Sequence, residues 1–179
     1  MRRFLIYILL AVLGAWATVT MQTCGQPVLT EEDFSRVVDT NAPPVDLAAE
    51  VAKARAGNKL LLLEFGSSDS CPPCVAMQKY VFSSPEFKAY ASSNLNFVRL
   101  DYPQKVDLRP DTKTTNAILA RQFSVDFFPT FVALDRDGKE FWHTPVEDTN
   151  GVVTGGITVG LLQPKNFIAL VEDVRKKEK

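Results

Sequence analysis

Histidine is nearly absent from this chain, with His143 alone, and cysteine is scarce, with three in 179 residues. A structural zinc site wants four cysteine or histidine ligands. Beyond the close pair Cys71 and Cys74, only Cys24 and His143 remain to complete one. No metal is therefore expected, and His143, lacking a companion, reads as a surface or edge residue. Neither sign of charge is in excess, since 20 basic residues face 21 acidic ones for a formal charge of −1. Without a face-sized basic cluster the composition argues against a nucleic-acid surface. The closing Arg175-Lys176-Lys177-Glu178-Lys179 reads as a solvated helix end, where cations suit the dipole. Low-complexity tracts and internal repeats are missing too, which leaves an ordinary globular composition.

What the chain does carry at its start is a long apolar run. Arg2-Arg3 precede Phe4 to Val19, and Ala15-Trp16-Ala17 offers small residues for cleavage. A positive start, an apolar centre and an A-x-A-like end mark an export signal. The run is shorter than the roughly 20 residues a bilayer core requires, yet an uncleaved anchor, and membrane attachment through it, stays open. Residues 1–23 are assigned to a signal peptide or membrane anchor. A lipoprotein held through Cys24 is the weaker alternative, because Met21-Gln22-Thr23 lacks a small residue before the cysteine; Cys24 otherwise reads as incidental. Each version exports the protein to an oxidising periplasm or cell envelope, where cysteine pairs persist.

Residues 24–44 form a polar, proline-bearing lead-in, expected to be flexible, with a short helix possible from Thr30 to about Val38. About 135 residues, 45–179, are left for one domain with a real core. Asp46 caps a helix whose inner face holds Leu47, Ala48, Val51 and Ala54, stopped by Gly57-Asn58. Lys59 to Phe65 is a short continuous apolar run, suited to a central strand covered on both faces. After a loop, Pro72-Pro73 suit a first helical turn, and that helix is expected to run through Met77 and Val81. Ser84-Pro85-Glu86 opens a further helix with Phe87 and Tyr90 inward. A second strand spans Leu95 to Leu100, and a helix from about Thr115 to Gln122 follows a loop rich in Pro, Asp and Lys. Pro129 to Leu134 and Lys139 to His143 flank Asp135-Arg136-Asp137-Gly138, a hairpin turn. Gly151 to Gly160 reads as loop. Lys165 to Lys177 is a closing helix burying Phe167, Ile168, Leu170, Val171 and Val174. The aromatic cluster Phe123, Phe127, Phe128 and Phe131 reads as core.

That order, a βαβ unit followed by a hairpin and a terminal helix, makes an α/β fold. Its mixed central sheet of about four to five strands is sandwiched by helices in thioredoxin-like fashion. Within it, Cys71-Pro72-Pro73-Cys74 follows a strand and opens a helix. Two cysteines separated by two residues can close a small disulfide ring and reopen it. At a helix N-terminus the dipole favours a thiolate, although Asp69 opposes it if its carboxylate lies close. As an inert staple the ring would achieve little, because loop-closure gains grow with loop length.

On these residues the chain resembles the thioredoxin superfamily, and more narrowly exported thioredoxin-related proteins with a Gly-Ser-Asp-x-Cys-x-x-Cys loop. The matching stretches are Glu64 to Cys74, Val81 to Phe87, Val98 to Pro103, Phe128-Pro129-Thr130 and Leu134 to Glu140. The resemblance implies that Cys71 is the exposed nucleophile and Cys74 the buried resolving thiol, paired in a redox-active disulfide. It also implies that Pro129 is a cis-proline packed against that disulfide, leaving backbone groups of Phe128 for an extended substrate. Glu64 falls near the family's buried acid, although its spacing to Cys71 is one residue longer. Two departures stand out: Ser70 replaces the usual aromatic residue, and Pro72 removes an N–H.

The implied activity is thiol–disulfide exchange on protein disulfides or dithiols in the cell envelope, without a cofactor and with an unidentified redox partner. Reduction or isomerisation is favoured over net oxidation. The alternative is a binding or assembly module of the same fold whose disulfide is vestigial or structural. A peroxidase role is weaker still, because the chain lacks a Pro-x-x-x-Thr-x-x-Cys pattern.

Overall fold

The computed structural model describes residues 38–144 and 159–178. The leader over 1–23, Cys24, the helix start at Thr30 and nearly all of the Gly151 to Gly160 loop fall outside them. Helix α1 (Leu47–Gly57) begins where Asp46 accepts from the Ala49 N–H at 3.0 Å, and stops at Asn58, whose φ of 50° is left-handed. Leu47, Val51 and Ala54 make its inner stripe. Ala48, expected there as well, is exposed, because one helical step turns it about 100° away from Leu47.

Strand β1 (Leu60–Gly66) is buried at every position. It pairs in parallel with β2 (Leu95–Asp101) and antiparallel with β3 (Thr130–Leu134), which carries the edge strand β4 (Glu140–His143). Among the described residues the sheet is therefore mixed and four-stranded, in the order β2-β1-β3-β4. Side chains of β1 alternate between faces. Leu60 and Leu62 join Met77, Phe82 and Phe167 on one side, while Leu61, Leu63 and Phe65 join Ala54, Leu119 and Phe123 on the other. That split divides the expected aromatic cluster: Phe123 and Phe131 are both buried but belong to opposite faces.

Helix α2 (Pro72–Met77) passes directly into a π-helical turn, Gln78–Phe82, where a regular helix through Val81 was expected. The Ser83 N–H reaches back to the Gln78 carbonyl at 3.0 Å. The wider turn lets the adjacent Val81 and Phe82 both enter the core, at 0% and 6% exposure. Helix α3 (Pro85–Asn94) is capped by Ser84, whose hydroxyl accepts from the Phe87 N–H at 3.1 Å. Phe87 is buried as expected; Tyr90 is half-buried and donates to Glu172.

Helix α4 (Pro110–Gln122) starts earlier than Thr115, since Pro110 supplies its first residue, where an N–H has no partner to lose. Its first turn holds the preceding chain, with Thr112 Oγ1 donating to the Ala42 carbonyl at 2.7 Å. After a 3-10 turn (Val159–Leu162), α5 (Pro164–Arg175) buries Phe167, Val171 and Val174. Ile168 and Leu170 are only half-buried, lying to either side of that i, i+4, i+7 stripe.

Candidate functional site

Beyond Gly66 the chain turns through Ser67 to Ser70, and two carboxylates hold that turn in place. Asp101, at the end of β2, accepts from the Ser68 N–H at 2.9 Å and its hydroxyl at 2.7 Å. Asp69, 4% exposed, accepts from the N–H groups of Gln104 at 2.9 Å and Lys105 at 2.7 Å, and from the Ser67 hydroxyl at 3.1 Å. Burial pushes the Asp69 carboxyl up, but these donors outweigh it and hold the group below the ordinary carboxylate range. Its charge is therefore turned onto the 104–105 backbone. The Ser67 and Ser70 hydroxyls are hydrogen-bonded at 2.6 Å, closing the turn.

Cys71 caps α2 and is disulfide-bonded to Cys74, with Cα atoms 5.3 Å apart. Its Sγ accepts from the Cys74 N–H at 3.2 Å. Prolines at 72 and 73 carry no N–H, so Cys74 is the first residue of the helix able to donate. Cys71 retains 9% exposure and Cys74 only 2%, so the N-terminal cysteine is the more exposed of the two.

The peptide bond Phe128-Pro129 is cis, and Pro129 is buried. Because Phe65 pairs with Thr130, Pro129 lies at the end of the sheet where Gly66 leads into Cys71. Phe128 is half-buried with its ring 4.9 Å from that of Tyr102, and Tyr102 follows β2 at the same end. Strand ends thus gather Cys71, Cys74, Phe128 and Pro129. His143 is apart from them, exposed on β4 and paired with Glu140.

Glu64 is 1% exposed on β1 and forms an ion pair with Arg99, its parallel neighbour on β2. Burial pushes its pKa up; Arg99 opposes that rise and Asp101 adds to it. A Cβ added at Gly66 would stand 2.8 Å from Glu64 Oε1 and 3.3 Å from Cys74 Sγ. Carboxylate and sulfur are therefore neighbours across a residue that must stay small. Both line a cleft of about 290 Å3 together with Asp39, Gln78, Arg99 and Asp101.

Arg99, Gln78 and Asp101 carry no assigned role in the sequence reading. The signal for Arg99 lies in strand register: once Leu60 is set against Leu95, the acid Glu64 falls opposite the base Arg99. Gln78 offers no such signal, since its position depends on the π-helical turn.

A redox-type cysteine pair at a helix start, with a cis-proline at the same end of a sheet of this order, defines a thioredoxin-like protein. The chain belongs to the thioredoxin-like domain family, whose pattern matches residues 47–145. It is similar to the disulfide bond reductase DsbH of Chlamydia pneumoniae, at 32% identity over 104 residues. That stretch covers 58% of this chain and 63% of the relative, so less than two thirds of the relative's length is spanned. A solved structure of a DsbH oxidoreductase shares the fold with a TM-score of 0.59 at 23% identity, over 85% of this chain and 94% of that one.

Proposed function

We propose that the protein is a thiol–disulfide oxidoreductase of the cell envelope that reduces protein disulfides through Cys71 and Cys74. The observation that carries this is the linked pair at the start of α2, more exposed at Cys71, at the sheet end that also holds cis-Pro129. In the reduced protein the Cys71 thiolate attacks one sulfur of a substrate disulfide. The new sulfur–sulfur bond forms as the substrate bond breaks, and the departing sulfur takes the electron pair and then a proton from water. Cys74, losing its proton to Glu64, attacks Cys71 Sγ as the mixed disulfide breaks, and the departing second substrate sulfur takes the electron pair and then a proton from water. Two electrons have then moved to the substrate and the Cys71–Cys74 disulfide remains, so a dithiol donor must restore it.

Phe128 and Pro129 are read as the wall along which an extended substrate lies. Export rests on the sequence of residues 1–23, and the domain is taken to begin near residue 45.

Reduction is favoured over oxidation because little here stabilises a Cys71 thiolate. A free cysteine with pKa about 8.5 is only about 3% thiolate at pH 7, and making it half thiolate takes about 2 kcal/mol. Among the described residues a single N–H, that of Cys74, donates to the sulfur.

The test is insulin reduction with dithiothreitol as donor, comparing wild type with Cys71→Ser. The wild type should accelerate precipitation of insulin chains well above the uncatalysed rate, and Cys71→Ser should fall to that background. Equal rates for the two proteins would instead support a binding or assembly module whose disulfide does not turn over.

A further inference from the structure

Arg99 stands where three elements meet. From β2 its guanidinium reaches the Glu64 carboxylate on β1, through Nε and, at 3.5 Å, through a second nitrogen. The remaining nitrogen donates to Gln78 Oε1 on the π-helical turn. Gln78 is itself fixed, because its Nε2 donates to Ser83 Oγ at 3.0 Å. The side-chain amide is thus held at both ends, by Arg99 on β2 and by Ser83 just past the turn.

The second tether matters because the Arg99 side chain is 40% exposed while its partner carboxylate is 1% exposed. A long, partly solvated arginine can exchange a buried partner for water at little cost, whereas the buried carboxylate has nowhere else to go. Gln78 gives the guanidinium an acceptor on the protein side. Being neutral, it does so without competing as a counter-ion. Among the described residues, Glu64 and Gln78 are the groups of the cleft that accept hydrogen bonds from Arg99. Asp101 is the second charged group facing Glu64 from β2, but it is engaged by Ser68. Cys74 approaches from α2, Asp39 lines the cleft from the chain before α1, and β3 sets only Phe131 opposite Glu64.

We infer that Gln78 is a positioning residue for the second half of the exchange: it keeps the Arg99 guanidinium seated on Glu64, in the cleft that Cys74 shares. This rests on the reading of Glu64 as acceptor of the Cys74 proton. Gln78 touches no reacting atom and acts through Arg99.

The experiment uses the full chain in a Cys24→Ser background, reduced and in excess over a chromogenic aromatic disulfide. Attack by Cys71 releases one chromophore at a rate proportional to protein concentration. Resolution by Cys74 releases the second at a rate independent of it. The second phase should slow at low pH, where Glu64 is protonated and cannot take the proton. In Gln78→Met that acid limb should move up by about 0.5–1 pH unit, and in Arg99→Met by about 1–3, the span for losing a close opposite charge. The first phase should stay within about two-fold of wild type. The double variant should move no further than Arg99→Met alone, because the hydrogen bonds connect Gln78 to Glu64 through Arg99.

A second phase for Gln78→Met that superimposes on wild type, or shifts that add in full, overturns the inference. Glu64→Gln separates the two levels of the argument. If the acid limb survives in that variant, the role of Glu64 itself is wrong. If the limb vanishes there but is unmoved in Gln78→Met, only the role of Gln78 is wrong.

Discussion

Glu64 and Asp69 are both carboxylates with almost no exposed surface, at 1% and 4%, and burial acts on them with opposite outcomes. Asp69 faces two backbone N–H groups and a hydroxyl, which hold its pKa below the ordinary value. Its stabilising contribution is therefore present above the unfolded value of about 3.9 and is lost as pH falls through the folded one. Glu64 has one exposed cation as its partner, and desolvation prevails, so its pKa lies above the ordinary value. A raised carboxyl contributes stability that is full below about pH 4.3 and disappears as pH climbs through the folded value. Glu64→Gln should accordingly resist urea better than wild type at pH 7, by about 1 kcal/mol, with the gap closing toward pH 4. Arg99 tolerates the loss because its side chain is 40% exposed and can be hydrated. A Glu64→Gln midpoint below that of wild type at pH 7 would show that the ion pair outweighs desolvation. Gly66 belongs to the same scale. Its Cβ would meet Glu64 Oε1 at 2.8 Å, so Gly66→Ala should cost about 1–3 kcal/mol in urea unfolding, as forced insertions into packed sites do.

Among the elements, the π-helical turn ties the redox helix to the core, and Phe82 is its anchor. Its ring packs on Phe87, Phe97, Phe131 and Phe167, with centroids 5.1 to 6.2 Å away, and the Arg99 guanidinium lies 5.3 Å from its centre. Phe82→Ala should lower stability by about 3–5 kcal/mol in chemical denaturation, as for other large aromatic truncations in cores. A loss under about 1 kcal/mol would mean that the surrounding rings collapse into the space.

What is legible in the sequence at this scale follows from how local the cause is. Asp46, Ser84 and Asn58 announce helix ends through their own side chains or backbone, and β1 announces itself through an unbroken apolar run. The start of α4 is hidden because Arg109 provides no side-chain cap and Pro110 reads equally as loop. The π-helical turn is hidden because nothing within Gln78 to Phe82 requires it; the packing demand comes from strands and helices distant in sequence. Likewise the cysteine pair can be read directly, while the Glu64–Arg99–Gln78 chain depends on strand register and a helical irregularity together.

For the molecule as a whole, the two electrons held by Cys71 and Cys74 flow according to how much better the fold accommodates the disulfide than the dithiol. Proteins of this fold span about −270 mV for thioredoxin to about −120 mV for a strong oxidant, and the latter is oxidising because its reduced form is stabilised. The means of such stabilisation are limited here. Two prolines remove the first donors of α2, leaving Cys74 N–H at 3.2 Å from the sulfur. The nearby Asp69 is kept ionised, and even a charge turned onto the 104–105 backbone adds nothing favourable to a second anion. The dipole of a partly buried helix start remains, worth about 0.3–2 kcal/mol. Against a span of about 150 mV, which is about 7 kcal/mol for two electrons, so small a contribution predicts a potential toward the reducing end, as the proposed function requires. Equilibration of the purified protein with dithiothreitol redox buffers, read by alkylation of the free thiols, should give a midpoint nearer −270 than −120 mV. A value above about −180 mV, the poise of an isomerase, would mean that a thiolate-stabilising group outside those named here governs the site, and that electrons run from clients to this protein.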